Sequence, residues 1–211
     1  MISINILFSN RGSNAISILN KINESKLNLK LNSIICNNKK ASGIPDIKNL
    51  GFNVNIIDSS DFNNTTDYNN KLLNVLLSNK SEYLLLCGYM KVIPKEIIKA
   101  YDLKILNIHP SLLPNYKGLN THTKVIQNKD LYHGCSVHFV NEHMDSGPIV
   151  AQSRIKVIHG EDPDTLANRL LPIEHNLYFN VLKLIQNKEI LLKNKIIYYK
   201  GEILDKPINF Q

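Results

Sequence analysis

Apolar residues in the first half of the chain fall into short runs, and stretches with the spacing of an amphipathic helix separate them. The runs that predict buried strands cover residues 4–8, 31–36, 54–57 and 83–87. Helices are predicted at about residues 15–24, 44–50 and 71–79, the last after a polar loop at residues 59–70. This alternation is typical of an α/β fold, with a Rossmann-like, mostly parallel twisted sheet and helices on both faces.

The second half begins with an apolar run at residues 105–109, which Pro110 ends because proline has no N–H for a continuing ladder. Strands are predicted at residues 136–140 and 149–157, as antiparallel neighbours, and a helix at about residues 121–127. Asp162 and Pro163 are typical of the start of a long helix. A hairpin at about residues 189–200 completes an antiparallel C-terminal portion.

The length and composition favour a single domain without disulfides or metal. A chain of 211 residues can bury a sizeable core. The start of the chain has no basic segment and no apolar stretch could span a bilayer, so we expect a soluble, cytoplasmic protein. The three cysteines lie far apart, which fits reduced thiols. His133, His138 and His143 recur every five residues, a spacing that does not favour a metal site.

The net charge of +7 raises the alternative of a nucleic-acid-binding protein. The basic residues are nearly all lysines, however, and they are scattered rather than gathered in a stripe with aromatic residues. The charge therefore favours a general attraction for anionic small substrates.

Candidate chemistry begins at the end of the strand before Pro110. Side chains alternate along a strand, so Asn107 and His109 lie on the same face, where an amide and an imidazole could together hold a developing oxyanion. The alternative is that both side chains only satisfy turn backbone. Asp145, beside Ser-Gly-Pro, is equally typical of a turn former that bonds its own backbone.

A second candidate site follows the first strand. The order strand, glycine-containing loop and helix puts unsatisfied N–H groups and the positive end of a helix dipole around residues 9–14. A phosphate could bind there, although an ordinary turn and helix cap would give the same pattern.

The ordered segments N-I-H-P-S-L-L-P, G-L-N-T-H, H-G-x-S-V-H-F-V and D-S-G-P-I resemble the formyltransferases that use 10-formyltetrahydrofolate, most closely the branch that acts on glycinamide ribonucleotide. The resemblance also covers S-N-R-G-S-N, C-G-Y-M-K-V-I and I-E-H, and so spans most of the chain. It implies transfer of a formyl group from 10-formyltetrahydrofolate, as co-substrate and without a metal, to the amine of glycinamide ribonucleotide in purine biosynthesis. Direct attack through a tetrahedral intermediate is expected.

The resemblance also assigns residue roles. Asn107, His109 and Asp145 are the expected catalytic residues. Substrate binding is expected of Arg11, Gly12, Ser13, Asn14, Pro110 and Glu174. Folate binding is expected of Met90, Lys91, Val92, Ile93, Asn107, His138, Asn141, Glu142, His143, Met144 and Asp145. On residue pattern alone, Met90 and Ile93 fit a core equally well, and Glu174 fits a solvated helix face.

The sequence departs from the family at three places. Lys91 stands where arginine is common, Leu171 replaces a polar residue, and residues 59–80 hold no arginine for the folate tail. We expect one formyltransferase domain over residues 1–211, with a phosphate-binding half at 1–100 and a catalytic and folate-binding half at 101–211, acting as a monomer or homodimer.

Other functions remain as alternatives to this one. The same fold serves sugar-nucleotide N-formyltransferases and initiator methionyl-tRNA formyltransferases, but both are expected to need additional C-terminal structure. An inactive basic protein that binds nucleic acid is the alternative from a different class. A serine hydrolase is not favoured, because Ser111 follows Pro110 without the G-x-S-x-G elbow.

Overall fold

The N-terminal part of the chain is built on four parallel strands in a computed structural model that describes residues 1–210. Residues Met1–Leu106 form one compact unit and the chain from Asn107 onward forms a second. In the N-terminal unit the strands are β1 (Ile2–Phe8), β2 (Leu29–Cys36), β3 (Asn55–Ile56) and β4 (Tyr83–Leu86). β1 pairs with β2 and β4, and β2 pairs with β3, all in parallel.

The helices of this unit follow the predicted order, with α1 (Ser13–Asn23), α2 (Gly43–Asn49), α3 (Thr65–Ser78) and α4 (Lys95–Ala100). The prediction for α3 was wrong at its start, which lies six residues earlier than residue 71. The Asn64 side chain accepts a hydrogen bond from the Asp67 N–H at 2.9 Å and begins the helix there. Tyr68, Leu72 and Leu76 are its buried residues, so the last six residues of the predicted loop, 65–70, belong to the first turns of a helix. A short 3₁₀ helix at Ser59–Asp61 precedes it, and α4 was not predicted.

The C-terminal unit contains the antiparallel part of the fold. β5 (Ile105–His109) ends at the predicted residue, and β6 (Tyr132–Phe139) pairs antiparallel with β7 (Ile149–Lys156), as predicted. A separate three-stranded antiparallel sheet contains β8 (Ile190–Lys193), β9 (Ile196–Tyr199) and β10 (Glu202–Ile203). β11 (Ile208–Phe210) was not predicted and pairs in parallel with β7.

Two helices complete this unit. α5 (Thr121–Gln127) has the predicted bounds, and α6 (Pro163–Gln186) begins at the predicted proline. The Asp162 side chain accepts hydrogen bonds from the N–H groups of Asp164 and Thr165, which satisfies donors at the helix start. The α/β class with a mostly parallel sheet is confirmed.

Candidate active site

The three predicted catalytic side chains lie close together in the C-terminal unit. Asn107 and His109 are on the last residues of β5, and Asp145 is in the loop between β6 and β7. His109 Nδ1 lies 3.4 Å from Asp145 Oδ2. His138 links Asn107 to Asp145, because its Nε2 lies 3.1 Å from Asn107 Nδ2 and 3.6 Å from Asp145 Oδ1. The structure therefore joins Asn107, His109 and Asp145 through one further imidazole.

The hydrogen bonds of His138 determine which atoms of Asn107 remain for a ligand. His138 Nδ1 lies 2.9 Å from the Phe139 carbonyl, which can only accept, so Nδ1 carries the proton. Nε2 of the neutral ring is then an acceptor, and Asn107 Nδ2 donates to it. The second N–H of the Asn107 amide remains as a donor. His138, expected only to contact folate, is thus also the residue that orients Asn107.

Burial outweighs Asp145 in its effect on the pKa of His109 and keeps the imidazole neutral. His109 is 5% exposed, and burial lowers the pKa of the imidazole below its ordinary value. The Tyr116 carbonyl and the Asp145 carboxylate both raise this pKa, but by less than burial lowers it. Nε2 donates to the Tyr116 carbonyl at 2.8 Å, so the lone pair of the neutral ring is on Nδ1 and faces Asp145.

Asp145 is a charged carboxylate in this setting. Burial raises its pKa, but hydrogen bonds to the carboxylate, including one from the Gly118 N–H, lower it further than burial raises it. Asp145 Oδ2 accepts from the Gly118 N–H at 2.9 Å. Asp145 itself has a left-handed backbone with φ of 47°, which aspartate tolerates better than most residues. Its carboxylate therefore faces the site, where it accepts a hydrogen bond from Gly118 and not from its own turn.

The polar loop at residues 114–120 is tied to the catalytic side chains by its backbone. The Tyr116 carbonyl accepts from His109, and the Gly118 N–H donates to Asp145. The Tyr116 hydroxyl in turn donates to Asp130 Oδ2 at 2.6 Å and fixes the loop from outside. Sequence analysis missed these contacts, because backbone atoms leave no side-chain signal.

The segment after β6 forms a turn around Asn141. Asn141 Oδ1 accepts from the His143 N–H at 2.9 Å, and its Nδ2 donates to the Ser146 carbonyl at 3.1 Å. Glu142, His143 and Met144 are exposed on this turn. Pro110 is half-buried directly after β5. Glu142, His143 and Met144 directly precede Asp145 in sequence, and their side chains are accessible to a ligand.

The glycine loop after β1 enters α1 through a glycine in the left-handed conformation. Gly12 has φ of 59°, and a Cβ on it would lie 2.9 Å from Phe8 Cδ2, so both conformation and space require glycine. α1 begins at Ser13. Because the preceding residue, Gly12, has no side chain, it supplies no side-chain acceptor for the N–H groups of the first turn. Asn14 is buried, Ser13 is half-buried and Arg11 is exposed.

The segment predicted to contact folate divides into exposed and buried residues. Met90 is 59% exposed and Val92 is 68% exposed, whereas Ile93 is 6% exposed and belongs to the core of the N-terminal unit. The Lys91 ammonium lies 5.2 Å from the centre of the Tyr68 ring. The Met90 N–H donates to Ser9 Oγ at 2.8 Å. Met90 and Val92 are therefore unusually exposed apolar side chains, which fits a ligand-contacting role better than a core role.

Glu174 lies on the inner face of α6 at 9% exposure, which rules out the solvated-face alternative. The next residue, His175, has an Nε2 that is buried and lacks a hydrogen-bond partner within residues 1–210. Burial lowers the pKa of His175. A second buried imidazole is that of His133. Its Nε2 shares a hydrogen bond with His122 Nδ1 at 2.9 Å.

No group of three or more histidine, cysteine, aspartate or glutamate side chains within residues 1–210 is arranged to hold a metal ion. Across the same residues, no helix is both long enough and apolar enough to cross a membrane.

The chain is a transferase of the α/β class. The family described as "Formyl transferase" matches residues 2–182, and the chain belongs to this family.

Similar proteins agree with this assignment over almost their full length. The phosphoribosylglycinamide formyltransferase of Haemophilus influenzae is 31% identical over 206 residues, covering 98% of this chain and 97% of that protein. The Escherichia coli (strain K12) protein of the same name is 28% identical over 202 residues, covering 96% and 95% of the two chains. The solved structure of the Coxiella burnetii phosphoribosylglycinamide formyltransferase in complex with CHES has a TM-score of 0.92 at 29% identity, covering 100% and 99%.

Proposed function

We propose that this protein transfers the formyl group of 10-formyltetrahydrofolate to the amine of glycinamide ribonucleotide, a step of de novo purine biosynthesis. The observation that carries the proposal is the contact of His109 with Asp145, beside an Asn107 amide held by His138. The similarity to phosphoribosylglycinamide formyltransferases over nearly the whole chain supports the choice of substrate.

The reaction needs no covalent intermediate on the protein. The neutral amine attacks the formyl carbon, the carbonyl oxygen becomes an oxyanion, and the tetrahedral intermediate collapses as the bond from carbon to N10 breaks. One proton leaves the amine and one is gained by N10, so the protons balance. Holding the two reactants in attack geometry can supply roughly 7–11 kcal/mol of the barrier reduction.

Asn107 is the proposed oxyanion donor. His138 accepts one N–H of its amide and holds the amide in place, and the second N–H is left to donate to the oxyanion. A donor that is already oriented before reaction is worth roughly 3–4 kcal/mol, because no reorganisation occurs as charge develops.

His109 is the proposed proton carrier. Its neutral resting state has a lone pair on Nδ1, which can accept the proton that the attacking amine loses, directly or through an ordered water. Asp145, charged and 3.4 Å away, stabilises the imidazolium that results. The same proton then passes to N10 of the leaving tetrahydrofolate.

The remaining expected residues are proposed to bind the two reactants. The loop of Arg11, Gly12, Ser13 and Asn14 binds the phosphate through N–H groups at the start of α1, and Glu174 and Pro110 contact the amine-bearing side of the substrate. The side chains proposed to contact folate are those of Met90, Lys91, Val92, Asn107, His138, Asn141, Glu142, His143, Met144 and Asp145, with the buried Ile93 proposed to contact it through the backbone.

We further propose that residues 1–211 act as one formyltransferase domain, with a phosphate-binding half at 1–100 and a catalytic and folate-binding half at 101–211. The proposed partners are the two small molecules alone, without a metal. The proposed setting is the cytoplasm, and the proposed assembly is a monomer or homodimer.

The test is a formyl-transfer assay with purified protein. 10-Formyltetrahydrofolate is mixed with glycinamide ribonucleotide or with an amino-sugar nucleotide, and the release of tetrahydrofolate is followed. Release that depends on glycinamide ribonucleotide supports the proposal. Release only with the amino-sugar nucleotide, or with neither acceptor, refutes it.

A further inference from the structure

Tyr116 contacts the catalytic imidazole with its backbone and the end of α5 with its side chain. Its carbonyl accepts a hydrogen bond from His109 Nε2 at 2.8 Å. Its hydroxyl donates to Asp130 Oδ2 at 2.6 Å and accepts from Asn128 Nδ2 at 2.8 Å. All four residues belong to the C-terminal unit. One residue therefore connects the end of a helix to the acceptor that decides which nitrogen of His109 carries the proton.

The two partners of the Tyr116 hydroxyl are held by the backbone at the end of α5. The Lys129 N–H donates to the Ile126 carbonyl at 3.0 Å, and Lys129 has φ of 57°. The Asp130 N–H donates to the Val125 carbonyl at 3.1 Å. These bonds and the left-handed residue form a Schellman motif, which ends a helix in a defined geometry. Asn128 and Asp130 lie on either side of Lys129, so this motif positions the groups that bind the hydroxyl.

The backbone of Tyr116 needs this support. Its φ of 54° lies in the left-handed region, which is unfavourable for a residue with a Cβ. The bond to Asp130 is of the charge-assisted kind, and it raises the pKa of the Tyr116 hydroxyl. The Ser111 hydroxyl holds the preceding residue, because it donates to the Asn115 carbonyl at 2.6 Å. Without the side-chain bonds, relaxation of φ would turn the Tyr116 carbonyl away from His109.

We propose that Tyr116 is a positioning residue for His109, because its bonds to Asp130 and Asn128 hold the carbonyl that keeps the His109 proton on Nε2. This inference rests on the proposed function, in which Nδ1 of His109 accepts the proton that the attacking amine loses. The competing neutral tautomer carries its proton on Nδ1, where it would donate to Asp145 Oδ2, now 3.4 Å away. That tautomer has no lone pair on Nδ1 and cannot accept the proton of the amine there.

Tyr116→Phe tests the inference, because it keeps the half-buried ring and removes only the hydroxyl. kcat should fall about tenfold or more, since the base is misplaced or in the wrong tautomer for much of the time. The KM of each substrate should stay within about twofold, because the mechanism gives Tyr116 no contact with either reactant. Tyr132→Phe removes a half-exposed hydroxyl from β6 of the same unit and is the matched control, which should leave both constants unchanged.

The acid limb of kcat/KM separates positioning from a general loss of structure. Against the larger effect of burial, the Tyr116 carbonyl raises the pKa of His109, so loss of that bond should move the limb to lower pH. The other charged or titratable groups around His109 are unchanged in Tyr116→Phe, and they are Asp145, His138, Lys124, His122 and His133. A lower kcat with an unmoved limb would mean that Tyr116 only supports the fold, and would overturn the inference.

The acceptor of the hydroxyl gives a second test. Asp130→Ala should reproduce the fall in kcat and the shift of the limb, whereas Asp130→Asn keeps an acceptor oxygen and should retain kcat to within about threefold. Asp130→Ala combined with Tyr116→Phe should lower kcat no further than either change alone, because both changes break the same contact. A full loss in Asp130→Asn, or losses that multiply in the double variant, would contradict the inference.

The tautomer of His109 can be measured without turnover by ¹⁵N NMR of the imidazole nitrogens. In the unmodified protein and in Tyr132→Phe we expect an unprotonated Nδ1 and a protonated Nε2. In Tyr116→Phe part of the population should carry its proton on Nδ1. This change supports the inference even if glycinamide ribonucleotide is not the formyl acceptor. An unchanged tautomer in Tyr116→Phe overturns the inference even if formyl transfer proceeds.

Discussion

His109 Nδ1 lies 3.4 Å from Asp145 Oδ2 while His109 Nε2 donates to the Tyr116 carbonyl, so the neutral imidazole turns a lone pair toward a carboxylate. Two acceptors facing each other gain nothing in the resting state. Once Nδ1 takes up a proton, the same contact becomes an ion pair in a buried setting. The arrangement therefore stabilises the protonated state of His109 only when the reaction supplies the proton.

Replacing the carboxylate tests this relationship. Asp145→Asn should lower kcat by about 10²- to 10⁴-fold, because the imidazolium loses its partner, and should change the KM of glycinamide ribonucleotide little. Steady-state kinetics with both substrates varied measures the two parameters. Asp46→Asn removes an exposed carboxylate from α2 and is the control. Equal kcat values for Asp145→Asn and the control would remove Asp145 from the mechanism.

The pH profile tests the neutral state of His109. Burial lowers the pKa of His109, so the active neutral form persists at pH values below the ordinary imidazole pKa of about 6.5 and is lost as the pH falls through the lowered value. kcat/KM should show an acid limb below about pH 6.5. Because Asp145 raises this pKa, Asp145→Asn should move the limb to still lower pH. A limb that moves upward in the variant would contradict the assignment.

The glycine loop offers a matched pair of variants. Gly12 and Gly51 both have positive φ, 59° and 89°, but a Cβ on Gly12 meets Phe8 whereas a Cβ on Gly51 meets nothing within 4 Å. Gly51→Ala should cost about 1 kcal/mol of stability from backbone strain and leave the KM of the phosphate-bearing substrate unchanged. Gly12→Ala should cost more and raise that KM about tenfold, because the loop must shift. Denaturant unfolding and kinetics measure the two effects, and equal KM values would exclude the loop from substrate binding.

A buried histidine predicts how stability depends on pH. Burial, with a smaller contribution from His122, lowers the pKa of His133 to about 4, so the unfolded chain binds a proton there more readily than the fold does. Stability is therefore complete above about pH 6.5 and is lost as the pH falls toward 4, by about 2 kcal/mol between pH 7 and pH 5 from this group. Urea unfolding at the two pH values measures the loss. His133→Gln should reduce it, and an unchanged slope would contradict the prediction.

The sequence predicted those parts of the fold that local chemistry determines. Pro110 ends β5 at His109, and Asp162 caps α6 through its own side chain, so both ends were predicted correctly. The start of α3 was missed because its first residues, 65–67, are exposed and polar and only Asn64 marks the helix start. β11 has three residues, too few for a periodic pattern, and its place depends on pairing with the distant β7.

The sequence indicated which side chains lie together at the site, but it did not indicate how burial changes their pKa values. The alternation along β5 correctly put Asn107 and His109 near one another, and the family pattern pointed to Asp145. The pKa of His109 depends on burial more than on Asp145, and the degree of burial cannot be read from neighbours in sequence. The hydrogen bond from the Gly118 N–H depends on the path of the loop backbone, which side-chain patterns do not specify.

The most direct test follows the formyl carbon itself. The protein is mixed with glycinamide ribonucleotide and 10-formyltetrahydrofolate carrying a ¹³C label in the formyl group, and the product is read by mass spectrometry in a single turnover. We expect the label on the amine of the ribonucleotide with the unmodified protein, and a rate about 10²- to 10⁴-fold lower in His109→Ala with both reactants saturating. Label transfer at the same rate in the variant, or none in the unmodified protein, would contradict the account.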